Sequence, residues 1–144
     1  MKVAVNRCYG GFGLSPKAQV RYWELKGRKC FFFKYIPGGD DYVLLRTEAE
    51  IKKAFLAMPF DTDDVDLIND KTSDQCYREH CLYLGNGEDK WRADPHLIQV
   101  IEEMGEEANE SHAEIEIVDV PDNVEWFIEE YDGMEHVSET HRTW

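Results

Sequence analysis

Apolar and polar positions recur regularly enough along this chain to place most of its elements. Lys2–Asn6 is short and β-branched and predicts a first strand. A glycine-rich turn from Cys8 to Leu14 follows, and Ser15-Pro16 starts a helix, because a serine caps orphan backbone N–H groups and proline fits the first helical position. That helix carries Ala18, Tyr22 and Leu25 on one face and closes at Gly27. Residues 29–36 and 41–46 are two β-prone apolar runs joined by Pro37-Gly38-Gly39-Asp40, a hairpin signature. Thr47 and Glu50 have capping-box spacing and predict a second helix to Met58, striped by Ile51, Phe55 and Met58 and stopped by Pro59.

Residues 61–75 are polar, with a short strand or turn expected at Val65–Ile68. Residues 77–85 read as a strand ending at Gly85, and residues 86–94 as a loop. Asp94-Pro95 opens a third helix with Leu97, Ile98, Ile101 and Met104 inward. Residues 113–120 alternate between apolar and acidic, as a half-exposed strand does. Two further alternating runs, 124–131 and 134–139, flank Asp132-Gly133, a strong two-residue hairpin signal. Three helices and six to seven strands, with hairpins outnumbering strand–helix–strand units, predict an α+β fold. A single domain spanning 1–144 with one mixed, mostly antiparallel sheet is expected.

Composition supports a folded domain: 42% apolar residues, with four Trp, seven Tyr and seven Phe in 144 residues. The apolar stretch after Lys2 is too short for the core of an export signal and no window approaches a membrane span, so a cytoplasmic protein with free thiols at Cys8, Cys30, Cys76 and Cys81 is expected. The net charge of −14 is unevenly spread. Residues 1–60 carry 11 Lys+Arg against 5 Asp+Glu, whereas residues 94–144 carry 1 against 16. So negative a segment repels nucleic acid and membrane and attracts basic partners, and the two oppositely charged segments favour a homo-oligomer.

The best candidate for ligand chemistry is the glycine turn at the helix start. Gly10, Gly11, Gly13 and Ser15 would present backbone amides at the positive end of the helix dipole, with Arg7 and Lys17 as countercharges for a phosphorylated small ligand. The turn fits neither the P-loop nor the dinucleotide pattern, and the plainer reading is a tight turn that permits close packing. Cys76, His80 and Cys81 form one irregular cluster, short of a zinc site, and His136 lies among carboxylates on an outward strand face. No metal, cofactor or catalytic residue is therefore assigned. The tail ends on Trp144 after His141 and Arg142, and a terminal tryptophan calls for a docking partner, making these three candidate interface residues.

Residues 5–15, 92–109 and 124–144 together resemble a set of small proteins of tailed bacteriophages and prophages, with the middle of the chain least similar. The resemblance implies an accessory protein acting in the bacterial cytoplasm. The expected function is non-enzymatic binding of a host protein, counteracting host defence. A small-ligand or nucleotide binder or enzyme using Gly10–Ser15 is the first alternative, and a structural or assembly component the second.

Overall fold

A computed structural model describes residues 1–38, 41–54, 56–70, 79–85 and 88–140. Among these, four α-helices and seven strands form an α+β fold, its strands paired antiparallel in three separate small sheets. The chain divides into two compact units, one made of Met1–Leu25 with the described chain from Leu84 onward, the other of Lys26–Tyr83.

In the first unit, β1 (Lys2–Asn6) pairs antiparallel with β5 (Ile115–Asp119), Lys2 opposite Asp119 and Asn6 opposite Ile115. β1 is buried from Val3 to Asn6, so both of its faces are covered. Helix α1 (Pro16–Leu25) starts where expected: Ala18 N donates to Ser15 Oγ at 3.3 Å. It buries Ala18, Tyr22 and Trp23, while Leu25 is only half-buried. Helix α4 (Pro95–Met104) is capped by Asp94, which accepts from His96 N at 2.9 Å. It buries Leu97, Ile98, Val100 and Ile101, with Met104 half-buried. Tyr22 Oη donates to Asp94 Oδ2 at 2.9 Å, so the cap of α4 also anchors α1. The hairpin of β6 (Trp126–Tyr131) and β7 (Met134–Glu139) turns through Asp132 and Gly133, both at positive φ (51° and 89°), which suits the right-handed twist of its strands. The loop expected at 86–94 contains a 3-10 turn at Asp89–Ala93.

Ladder geometry identifies the free edges. Arg7 N donates to Glu114 O and Val120 N to Met1 O, so Met1, Val3, Val5 and Arg7 exchange hydrogen bonds with β5 and its flanks. Ala4 C=O and Asn6 N–H consequently point to the outer edge of β1, where a side-chain pair takes the place of a strand. Arg92 grips Glu135 through two parallel bonds of 2.6 and 2.9 Å, and both side chains are nearly buried. Arg92 Nη1 also donates to Ala4 O at 3.3 Å, and Glu135 Oε1 accepts from Asn6 N at 2.9 Å. The Arg92 guanidinium lies 3.7 Å from the centre of the Phe12 ring.

In the second unit, β2 (Phe31–Ile36) lies between β3 (Asp41–Leu45) and β4 (Met58–Phe60), over a core of Phe33, Phe60 and Ile68. Phe33 and Phe60 meet edge-to-face with centres 5.0 Å apart. The expected second helix is shorter: α2 (Glu48–Lys53) has Thr47 accepting from Glu50 N as its cap, but ends before Ala54. Met58 belongs instead to β4, opposite Phe33, because pairing with β2 outweighs a helical stripe and Pro59 is tolerated on an edge strand. Phe55 lies outside the described residues. The strand or turn expected at Val65–Ile68 is a four-residue helix, α3, capped by Asp64; its i, i+3 spacing turns Val65 and Ile68 together onto the core. Of the strand expected at 77–85, residues 79–85 contribute only a single bridge, Cys81 to Phe60.

Asp61 fastens this bridge. Its carboxylate accepts from Arg28 Nη2 and lies against His80 Nδ1, both at 2.7 Å, while Asp61 N donates to His80 O. Burial alone would raise its pKa, but the hydrogen bonds and charges of Arg28 and His80 outweigh that and hold the carboxyl below the ordinary aspartate value.

Two outcomes follow. Glu135→Ala leaves the buried Arg92 charge and the Asn6 N–H without their partner, so urea unfolding should show a loss of about 3–5 kcal/mol. Replacing the pair together with Met and Leu should not restore full stability, because Ala4 O and Asn6 N–H stay unsatisfied, each at about 1–3 kcal/mol. For Asp61, a depressed folded-state pKa gives stability that is present above the unfolded value of about 4 and lost as pH falls through the folded one. Asp61→Asn should weaken the β2 and β4 amide signals in urea at pH 7, and its difference from the parent should shrink below about pH 4.

Candidate functional site

The glycine turn closes against the protein itself. A Cβ on Gly10 would stand 1.7 Å from His112 O, and one on Gly13 would stand 2.9 Å from His112 Nε2. Gly133 completes the nest: a Cβ there would lie 2.4 Å from Tyr9 O. Three turns thus approach to backbone contact, which needs residues without side chains. Gly11 has φ 90° and open space beside it. Ser15 is held by Ala108 O through its N–H and by Glu107 O through its hydroxyl, and Gly13 O accepts from Glu110 N. Lys17 is exposed on the first turn of α1. Arg7 turns away from the glycines, donating to Glu116 Oε2 and to Glu135 O, each at 3.2 Å. Gly10, Gly11, Gly13 and Ser15 are therefore brought together, with Arg7 directed elsewhere. His141, Arg142 and Trp144 lie outside the described residues.

The described thiols are Cys8, Cys30 and Cys81, all free. Cys8 Sγ sits 3.0 Å from His112 O, within the nested turns. Burial pushes the Cys30 thiol up to about 12 and also raises that of Cys81, which disfavours the nucleophilic thiolate. Cys76 is outside the described residues; its neighbour His80 is bound to Asp61. Among the described residues no three His, Cys, Asp or Glu side chains gather as a metal would require, and no helix is long and apolar enough to cross a membrane.

What the fold does present is the β6–β7 hairpin. Thr140 N donates to Glu125 O, so Phe127 with Ser138, Glu129 with His136 and Tyr131 with Met134 are hydrogen-bonded pairs sharing the outer face. Phe127 is 37% and Tyr131 78% exposed. Between these rings His136 Nε2 meets Glu129 Oε2 at 2.6 Å, and hydrogen bonds from Ser138 and His136 lower the Glu129 pKa. Glu125 and Asp132 flank the rings, while Glu130 and Glu139 stand opposite Glu135 and Trp126 on the other face; no ion pair joins these four to a described cation. The inner face carries Trp126, Ile128, Val137 and the buried Glu135. Beside it lies a cavity of about 310 Å³, walled by Val118, Val120, Pro121, Val124, Trp126 and Val137, with Arg7 and Glu139 also in its lining. A second, of about 520 Å³, shares Val124 and Trp126.

The alternation at 124–139 placed this face outward, but the sequence did not distinguish it from a plain solvated strand. Exposed rings flanked by Glu125 and Asp132, with Glu129 bound to His136 between them, suit a cationic, partly apolar partner. Comparison of the chain with models of known families, with characterised proteins and with solved structures finds no match.

Proposed function

We propose that this is a non-enzymatic binding protein that engages a basic partner protein through the acidic, aromatic-bearing surface of its first unit. The observation that carries this reading is the β6–β7 hairpin, where Phe127 and Tyr131 stand exposed beside Glu125 and Asp132, which no described cation pairs. Residues 94–140 contain 16 Asp and Glu and no Lys or Arg, so the segment that carries the rings is strongly negative. Aromatic rings supply contact area at low entropic cost, and the carboxylates add steering and selectivity. The resemblance to phage accessory proteins supports a host protein as the partner and the bacterial cytoplasm as its setting. No cofactor or metal enters this reading, and the net charge disfavours nucleic acid and an anionic membrane as partners.

The test is capture from bacterial lysate by the intact chain, compared with Glu125→Lys/Asp132→Lys and with Tyr131→Ala. The parent should retain a discrete basic protein, charge reversal should abolish retention, and Tyr131→Ala should weaken it at least tenfold. Retention should fall with salt, because exposed charges are screened over about 8–10 Å at physiological ionic strength. Light scattering on the same samples separates capture of another protein from self-association of oppositely charged segments. Retention indifferent to both variants would overturn the proposal.

A further inference from the structure

The strand edges of the first unit are guarded by side chains at specific points. The outer edge of β1 is closed by Arg92 and Glu135, that of β5 at Ile115 by Asn109 Oδ1, and that of β6 at Ile128 by Asp89 Oδ2. Such guarding is the usual defence against unwanted strand pairing. Beyond these points, among the described residues, β5 is open at Ile117 and Asp119, and β7 is open beyond Glu135, where its edge borders a cavity. The outer edge of β7 carries the N–H and C=O of Glu135, Val137 and Glu139, since Ser138 and His136 face β6. Arg7 bonds Glu135 O, but no described group bonds the backbone of Val137 or Glu139. Both residues line the 310 Å³ cavity, whose other wall is Val118, Val120, Pro121 and Val124.

We infer that this cavity is a strand-addition slot, in which an extended segment of a partner protein pairs with Val137 and Glu139. Alternate side chains of that segment would rest on the valine wall, and the others would face the rim. Charge complementarity selects the occupant. Glu139 is exposed at the rim and no described group forms an ion pair with it; Asp119, also exposed there, feels the charge of Lys2 across the ladder, while Arg7, the one Lys or Arg among the described lining residues, is held by Glu116 and Glu135 O. The segment is therefore one of alternating apolar and basic residues, bound by main-chain pairing for affinity and by its side chains for specificity. This rests on the reading of the first unit as a captor of basic protein and names the form its partner takes.

The experiment uses the full chain, labelled for amide NMR, titrated with an eight-residue peptide of alternating valine and lysine. Three comparisons accompany it: the same peptide N-methylated at alternate amides, a valine–glutamate counterpart, and the Asp119→Lys/Glu139→Lys variant with the parent peptide. The slot requires the largest shifts at the Val137 and Glu139 amides, at least tenfold weaker binding on N-methylation, and none for the glutamate peptide. The variant should lose at least tenfold; the peptide chemistry tests the slot independently of how the variant folds. Shifts confined to the Phe127–Tyr131 face and indifferent to N-methylation would overturn strand addition while leaving acidic capture intact. No shifts with any peptide would also overturn it, and capture from lysate then decides the wider reading by itself.

Discussion

The buried pair of Arg92 and Glu135 is the interaction on which the first unit depends. It joins three segments distant in sequence: the outer edge of β1, the turn at 89–93, and β7. A buried ion pair is not in itself a strong source of stability, because desolvation offsets most of the attraction. Here its value lies elsewhere. The guanidinium donates where a neighbouring strand would offer an N–H, and the carboxylate accepts where it would offer a C=O. The pair ends the β1–β5 sheet at two strands without leaving buried backbone groups orphaned. Its geometry depends on arginine specifically, since a lysine cannot present two parallel donors and a flat face to Phe12 at once.

The same solution recurs nearby. Asp89 meets Ile128 N–H, Asn109 meets Ile115 N–H, and Asn6 donates through its buried side-chain amide to both Cys8 O and Gly133 O. A unit built from two two-stranded sheets has many edges for its size, and short polar side chains close them. This explains why Asn6, fully buried at the end of β1, is there at all. It also explains the glycines: the turns carrying these bonds approach to backbone contact at Gly10 and Gly133, and Gly13 makes room for the side chains of Glu110 and His112. Close packing therefore accounts for Gly10 and Gly133, and a positive φ for Gly11.

The acidity of residues 94–140 sets a second constraint. Met1, Lys2, Arg7, Arg21 and Arg92 take up part of it through pairs with Asp122, Glu102, Glu116, Glu103 and Glu135. The exposed pairs contribute little stability individually, but Lys2 and Arg21 offset the charge of α4 at Glu102 and Glu103. On the outer face of the hairpin Glu129 meets His136 and Ser138, and no described Lys or Arg pairs with Glu125 or Asp132, so that face remains available to an incoming cation.

Local chemistry determined the elements whose signals were local. Ser15, Thr47 and Asp94 cap helices, Asp132-Gly133 turns the last hairpin, and alternation at 113–120 and 124–139 marks strands, because caps, turn dihedrals and strand periodicity depend on residues a few positions apart. The α+β class followed from their order. Tertiary structure decided the rest. Whether Met58 continued a helix or joined β2, and whether Val65–Ile68 curled or extended, turned on contacts with Phe33 and Phe60, which no local pattern contains. The division into three small sheets, and the pairing of Arg92 with a glutamate 43 positions away, were likewise invisible in the sequence. Charges and periods are written residue by residue, but which edge lies free and which carboxylate finds a cation depend on what the folded chain brings alongside.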